Sequence, residues 1–327
     1  MRRRDLITFV GGAAAAWPIC AFAQKPEQGS RMARVGILNY AGAQYARVAD
    51  FRDELRDLGY VDGRSIVVSH LWADGHLDRL PGLAAQLIAE KADIIIALGP
   101  SAWAAKRATT TVPIVIAFSG DLVQTGMLSN LSRPGGNITG FSYMSTDLAA
   151  KRLELFNEAF SRSRRIAVLH NPGEPATALE MRETEAAARA IGVTLQPLSA
   201  RSPDDIDLVF ATASHEGADG VILFTHGFVE LNRTRIIEQA TRHRLPTMYG
   251  WRDFVAEGGL MSYGPDVQGL VRGAASYVDR ILKGERPGDL PVQQPTRLEL
   301  IINLKTARAV DLTIPPTLLA RADEVIE

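Results

Sequence analysis

The sequence predicts an α/β protein made of two doubly wound parallel-sheet lobes joined by a three-segment hinge. Residues 94–98 are five consecutive apolar residues, which suits a strand buried on both faces of a sheet covered by helices. A polar break at Gly99-Pro100-Ser101 and an Ala-rich segment follow, so this strand runs into a helix whose N-terminus Ser101 is expected to cap. The same order of an Ala-Asp pair, an apolar run and a polar break returns at residues 218–227. A chain of 327 residues is also long enough for two cores.

Apolar spacing predicts the elements of the first half. Strands are expected at residues 35–38, 66–72, 94–98 and 112–118, and helices at 48–58, 77–90 and directly after residue 101. Strands that alternate with helices in this way predict a parallel, right-handed sheet. A further strand at residues 138–143 is predicted to lead away from this lobe.

The pattern then restarts in the second half. Helices are predicted at residues 147–160, 177–191, 204–215 and 231–243, and strands at 165–169, 193–198, 220–224 and 245–249. A helix-terminating glycine, an aspartate before a strand and a strand-opening proline occur in the same order in both halves. These pairs are Gly59 and Gly192, Asp93 and Asp219, and Pro113 and Pro246. The repetition indicates two copies of one architecture.

The sequence of the C-terminal part predicts that the chain crosses between the two lobes again. Strands at residues 260–264 and 298–303 enclose a helix at 267–284, so crossings are expected near residues 141–146, 258–264 and 290–298. The expected division has four parts: a signal peptide at 1–23, a first lobe at 33–142 plus 262–289, a second lobe at 143–261 plus 290–315, and a C-terminal tail at 316–327.

Residues 1–23 have the pattern of an export signal. Three arginines at positions 2–4 precede an apolar run at 6–19, and Ala21-Phe22-Ala23 is a small-x-small cleavage motif. We therefore expect cleavage after Ala23 and a periplasmic protein. Residues 3–7 also resemble a twin-arginine signal, and a membrane anchor is the alternative reading of the apolar run. The only cysteine, Cys20, lies in this segment, so the mature chain is expected to carry no thiol.

Charge and motifs argue against several functions. A formal net charge of −1 gives no reason to expect a nucleic-acid partner or a membrane surface. The sequence contains no phosphate-binding glycine motif, no His-Glu-x-x-His and no Gly-x-Ser-x-Gly. The histidines are scattered, and only His70 and His76 come near a metal-ligand spacing. No cofactor, metal or catalytic residue is therefore predicted, and the protein is not expected to be an enzyme.

Polar and aromatic residues gather at the predicted strand ends of both lobes. Hydroxyl and backbone donors at Ser101 suit a carboxylate, Asp121 suits an ammonium group, and the aromatic residues suit an aromatic or cationic group. The candidate ligand-binding residues are Asn39, Trp72, Gly99, Ser101 and Asp121 in the first lobe, and Asn171, Thr225, His226, Tyr249 and Trp251 in the second. Their position at one edge of both lobes predicts that a small solute binds in the cleft.

Several motifs together resemble a known family. They are Trp72-Ala73-Asp74-Gly75, Arg133-Pro134-Gly135-Gly136-Asn137-Ile138-Thr139-Gly140, Lys151-Arg152-Leu153-Glu154-Leu155, Asn171-Pro172, and three C-terminal stretches at 277–284, 290–296 and 300–306. This combination resembles the ABC-transporter substrate-binding proteins whose better-known members take up tryptophan and other aromatic amino acids. The resemblance covers residues 33–327.

The resemblance implies a type I periplasmic binding fold, in which two lobes close over a small solute and deliver it to an ABC permease in the inner membrane. A monomer is expected. The alternatives are an exported two-lobed enzyme that acts on a small metabolite, and a ligand sensor for a membrane receptor. Amino-acid-binding relatives tend to carry Asp-Pro where this chain has Asp121-Leu122, and Thr-Asp-Asn where it has Thr225-His226-Gly227. The second difference removes an expected partner for an α-ammonium group.

Overall fold

The computed structural model describes residues 31–42 and 47–327. Within these residues, strands and helices alternate and form two sheets with helices on both faces. The predicted signal peptide, residues 1–23 with Cys20, lies outside the described residues. In the part of the chain that is described, no helix combines the length and the apolar character that crossing a membrane requires.

The elements are numbered in chain order. The strands are β1 (Ala33–Asn39), β2 (Ile66–Trp72), β3 (Ile94–Leu98), β4 (Ile114–Ser119), β5 (Ile138–Ser142), β6 (Arg165–His170), β7 (Thr194–Ser199), β8 (Gly220–Leu223), β9 (Thr247–Tyr249), β10 (Met261–Pro265), β11 (Leu298–Asn303) and β12 (Glu324–Ile326). The helices are α1 (Arg47–Asp57), α2 (Leu80–Ala89), α3 (Ser101–Ala108), α4 (Ser145–Ala159), α5 (Thr177–Ile191), α6 (Pro203–His215), α7 (Gly227–Leu231), α8 (Arg233–Arg242), α9 (Arg252–Ala256), α10 (Val267–Leu282), α11 (Leu304–Ala309) and α12 (Pro316–Leu319).

The two sheets share one strand order. The first is parallel throughout, in the order β2-β1-β3-β4-β5. The second repeats this order as β7-β6-β8-β9-β10 and adds β11, which runs antiparallel to β10, and β12. The fold is therefore the predicted pair of doubly wound lobes, and the shared order is what two copies of one architecture require.

Alternation along the strands explains why each sheet is covered on both faces. In β3, Ile94 and Ile96 belong to the apolar cluster that includes α1 and α10, whereas Ile95 and Ala97 belong to the cluster with α2 and α3. All five residues of β3 are buried. Successive side chains of a strand point to opposite faces, so a continuous apolar run supplies two layers of core at once.

Three long-range placements differ from those expected from the sequence. Strand β5 does not lead away from the first lobe, because it pairs with β4 as the fifth strand of that sheet. Residues 262–265, which were expected to open the returning part of the first lobe, pair with β9 and β11 in the second sheet. The expected C-terminal tail contributes β12, which pairs with β11. Local apolar patterns indicate a strand but not its partner, and pairing decides the lobe.

The chain passes between the lobes in three places. It leaves the first sheet after β5, returns after β10 to place α10 against α1 and β4, and leaves again before β11. Before the last crossing, Gln293 pairs with Phe141 beside β5, and its N–H donates to the Gly140 carbonyl at 2.9 Å. Three neighbouring connections form the predicted hinge.

Candidate ligand-binding site

A cavity lies between the lobes at the carboxyl ends of the parallel strands. It encloses about 900 Å³ of non-atom space, part of it open to solvent, which suits a small-molecule ligand. The first lobe lines it with residues that follow β1, β3 and β4, and the second with residues that follow β6, β8 and β9. Ligands of open α/β sheets bind outside this end of the strands.

Three contacts join the lobes around the cavity. A side chain at Gly227 in the second lobe would overlap the ring of Tyr40 in the first, so the ring lies directly on that backbone. Arg47 at the start of α1 forms an ion pair with Asp253 of α9. In addition, Leu231 of α7 approaches Gly75 of the first lobe. The structure therefore has the lobes closed over the cavity.

Several buried polar atoms in the cavity lining lack a hydrogen-bond partner among the described residues. They are Asn39 Nδ2, Ser145 Oγ, Glu174 Oε1, both ring nitrogens of His226, Glu230 Oε2 and Trp251 Nε1. A polar group that is buried without a partner costs about 1–3 kcal/mol. Atoms from both lobes share this condition in one place, which is the pattern expected where a bound solute supplies the missing hydrogen bonds.

Two carboxyl groups from one short segment dominate the electrostatics. Burial raises the pKa of Glu180 in α5 to about 7, against the lowering effects of the nearby Ser145 hydroxyl and of the Arg152 charge. Burial also raises the pKa of Glu174 in the preceding loop to about 7, and the nearby Glu180 adds to this shift. Both groups therefore titrate near neutral pH and respond to any charge placed beside them.

Arg152 of α4 stands behind the second-lobe wall of the cavity. Its guanidinium is fully buried, and its Nε donates to the Tyr263 carbonyl at 2.8 Å. Its other nitrogens lie 3.4 Å from the hydroxyl oxygens of Thr225 and Tyr143. The Tyr143 hydroxyl in turn donates to the Gly250 carbonyl at 2.8 Å. This network positions two cavity-lining hydroxyls beside a fixed positive charge.

His226 contributes a neutral ring to the lining. Burial lowers the pKa of its imidazole to about 3, and the nearby His170 adds to this shift. A neutral imidazole offers one N–H donor and one acceptor nitrogen. No Lys or Arg side chain stands among the described residues that line the cavity.

The structure brings five of the predicted site residues together and places five elsewhere. Asn39, Gly99, Thr225, His226 and Trp251 line the cavity. Trp72, Ser101, Asp121, Asn171 and Tyr249 are absent from the described lining. Ligand contact by any of the ten residues stays a prediction.

Three of the latter residues have other partners. The Trp72 ring packs on His70, with ring centroids 4.8 Å apart. Asp121 Oδ1 accepts from the N–H of Gln124 at 2.9 Å, which holds the turn after β4. Asn171 Oδ1 accepts from Gly173 N–H at 2.9 Å and so shapes the loop that carries Glu174.

The remaining two lie in the cores of their lobes. The Tyr249 ring stacks on Phe254, with ring centroids 4.6 Å apart. Ser101 is the first residue of α3 rather than its cap, and its hydroxyl is buried without a partner among the described residues. Tyr249 is the last residue of β9, and Ser101 begins the helix after β3, so both are buried close to their sheets.

The sequence analysis missed the acidic residues of the lining, which are Glu174, Glu180 and Glu230. A signal for Glu180 was present, because Glu180 shares the buried face of α5 with Thr177, Thr184 and Ala188. A carboxyl group on the buried face of a helix is unusual. Glu230 lies in the short helix α7 and accepts from Arg233 at 2.6 Å, and its local sequence gives no such signal.

Fold and site together define a two-lobed binding protein of the type I periplasmic class, with its ligand cavity between the lobes. Residues 37–326 match the family of ABC transporter substrate-binding proteins, and the chain belongs to this family.

Individual relatives agree with this assignment. A tyrosine-binding protein of Clostridioides difficile is 26% identical over 264 residues, which are 80% of this chain and 75% of the relative. A conserved domain protein from Vibrio cholerae superposes with a TM-score of 0.84 at 27% identity, over 90% of this chain and 100% of the other. The ABC domain from Streptococcus pneumonia in complex with L-Trp has a TM-score of 0.84 at 23% identity, with the same coverage, and shows the likeness in fold.

Proposed function

We propose that the chain is the extracytoplasmic solute-binding component of an ABC importer. It binds a small polar or aromatic solute, an amino acid or a related carboxylate, between its lobes and delivers it chemically unchanged to a permease in the inner membrane. The observation that carries the proposal is that residues of both lobes around one cavity have buried polar atoms without a hydrogen-bond partner in the described part of the chain. Relatives that bind tyrosine or tryptophan support an aromatic solute.

Aromatic residues in the lining support the same class of solute. Tyr40, Trp103 and Phe118 of the first lobe and Trp251 of the second supply apolar faces, and the unpartnered nitrogens of Asn39 and Trp251 supply donors. Small-ligand sites commonly combine a mostly apolar wall with a few placed polar groups. Ligand contacts with both lobes would favour the closed form, which a permease can recognise.

The proposal extends to export and assembly. A signal peptide removed after Ala23 would deliver a monomeric protein to the periplasm. The proposed first lobe contains residues 33–142 together with the segment that forms α10, and the proposed second lobe contains α4 to β10 together with residues from β11 onward. In the closed form, the surfaces of both lobes beside the cleft would face the permease at the same time.

Isothermal titration calorimetry tests the proposal. Purified mature protein is titrated with the twenty L-amino acids, with L-tyrosine and L-tryptophan first, and with their amine and acid analogues. We expect a one-to-one complex with a micromolar or lower Kd and full recovery of the unaltered ligand after denaturation. Conversion of the ligand during incubation would favour the enzyme alternative, and absence of binding to any small solute would contradict a carrier role.

A further inference from the structure

The cavity is unusually rich in carboxyl groups for a site that would receive an anion. Glu174, Glu180 and Glu230 all line it, whereas no lysine or arginine does so among the described residues. Glu230 already has a cationic partner, because its Oε1 accepts from Arg233 at 2.6 Å. Arg152 stands behind the cavity wall, and its charge favours the ionised form of Glu180. No such cation acts on Glu174, whose pKa is raised by burial and by Glu180, and Glu174 Oε1 has no hydrogen-bond partner in the described part of the chain.

Glu174 and Glu180 lie close together because they are six residues apart in the same part of the chain. Glu174 lies in the loop after β6 and Glu180 in the first turn of α5, so both belong to one segment of seven residues in the second lobe. The charge of Glu180 raises the pKa of Glu174. Glu180 is 2% exposed, so water cannot take the place of a counter-ion there.

A second observation points independently to a ligand in this cavity. Asn39, His226 and Trp251 are 3%, 8% and 6% exposed, and each has a nitrogen without a hydrogen-bond partner among the described residues. The nitrogens of Asn39 and Trp251 are donors only and call for an acceptor on the ligand. The cavity thus has an acidic part and a part lined by neutral donors.

We propose that Glu174 and Glu180 form a subsite for a positively charged nitrogen of the solute, so that the solute is an organic amine, either cationic or zwitterionic, and not a simple carboxylate. This inference rests on the proposed carrier function and narrows its ligand class. The neutral ring of His226 cannot act as an anionic partner for an ammonium group. Glu174 and Glu180 supply that partner instead. Tyr40 stands close to Glu174 and adds an aromatic face to the same subsite.

Three probes that share one aromatic ring distinguish the effect of the amine from that of the carboxylate. Tyramine carries only the amine, L-tyrosine carries amine and carboxylate, and 3-(4-hydroxyphenyl)propionate carries only the carboxylate. Their affinities are measured by calorimetry at pH 8 with the wild-type protein and with Glu174→Gln and Glu180→Gln, and Glu185→Gln on the exposed face of α5 is the matched control. Circular dichroism and thermal unfolding show that each variant is folded.

We expect tyramine or L-tyrosine to bind at least tenfold more tightly than the acid. We also expect Glu174→Gln and Glu180→Gln to remove most of that preference, while Glu185→Gln keeps it. Equal or tighter binding of the acid, or an unchanged preference in both glutamine variants, overturns the cation subsite and leaves the carrier function intact.

If none of the three probes binds, the solute that the wild-type protein retains from a bacterial metabolite extract is identified by mass spectrometry. A retained solute with a basic nitrogen that Glu180→Gln no longer retains supports the subsite. A retained solute without a basic nitrogen overturns it. A protein that retains no solute contradicts the carrier function and, with it, the subsite.

Discussion

The Tyr40 ring of the first lobe lies directly on the backbone of Gly227 in the second, with no room for a side chain between them. Both residues line the cavity between the lobes. Closure of the lobes thus depends on the absence of a Cβ at one position at the start of α7.

Gly227→Ala is expected to hinder closure without harming either lobe. The backbone at Gly227 does not require glycine for its dihedral angles, so the new methyl group conflicts only with Tyr40. We expect ligand affinity to fall at least tenfold in calorimetry while the thermal unfolding temperature changes by no more than about 3 °C. Gly82→Ala, where nothing lies within 4 Å of the new Cβ, is the matched control and should bind normally. Unchanged affinity in Gly227→Ala would show that closure does not need this contact.

Asp253→Asn removes the ion pair that Arg47 forms across the cleft. The Arg47 side chain is 10% exposed and the Asp253 side chain 34% exposed, so the pair is partly shielded from solvent. We expect about a three- to tenfold loss of ligand affinity, equivalent to about 1 kcal/mol, and a larger radius of gyration of the unliganded protein in X-ray scattering. Glu158→Gln breaks an ion pair with Arg321 inside the second lobe and should change neither quantity. The reverse ranking of the two variants would contradict a role of the ion pair in closure.

Glu180 makes stability depend on pH in a defined direction. Its pKa is raised from 4.5 to about 7 by burial, against the opposing effects of Ser145 and Arg152. A carboxyl group whose folded-state pKa is raised contributes stability that is complete below about pH 4.5 and is lost as pH rises through about 7.

The free energy of unfolding of the wild-type protein relative to Glu180→Gln should therefore fall between pH 4.5 and pH 8, by at most about 3 kcal/mol. Urea denaturation of both proteins without ligand measures this difference at each pH. The lowered pKa of His226 acts in the opposite direction, but it is common to both proteins and cancels in the comparison. A difference that is constant with pH would show that Glu180 is not buried as an acid.

Gly140→Ala is expected to damage the first sheet severely. Gly140 in β5 has a φ of 128°, and an added Cβ would collide with the Ile116 carbonyl of β4. Gly140 and Ile116 are paired residues of neighbouring strands, so neither backbone can move away without breaking hydrogen bonds between β4 and β5. We expect a loss of at least about 3 kcal/mol in urea denaturation, whereas Gly82→Ala should lose no stability. A wild-type midpoint for Gly140→Ala would contradict the close approach of these strands.

Much of the fold could be predicted from periodicity and from local signals. The ranges expected for β2, β11 and α5 agree with the structure, and the glycine that follows α5, Gly192, has a φ of 73° as a helix-ending residue should. These features depend on contacts within one strand or one helical turn. Pairing partners do not, which explains why β10 was expected in the first lobe and β12 in a C-terminal tail.

The candidate site was predicted less completely for the same reason. Asn39, Gly99, Thr225, His226 and Trp251 were found because residues that follow parallel strands meet at one edge. This rule does not say which of the residues at a strand end face the gap. Tyr249, two residues before Trp251, points instead into the second-lobe core.

The sequence by itself determined the two-fold repetition of one α/β unit, the order of its elements and the sheet edge at which the candidate cavity lies, because apolar periodicity and turn residues act locally. Only the tertiary structure decided which lobe each returning strand joins and which side chains meet in the cavity. Glu180 shows the distinction: its helix was predicted, but its burial beside Arg152 depends on how α5 packs against α4, a contact between segments that no local pattern encodes.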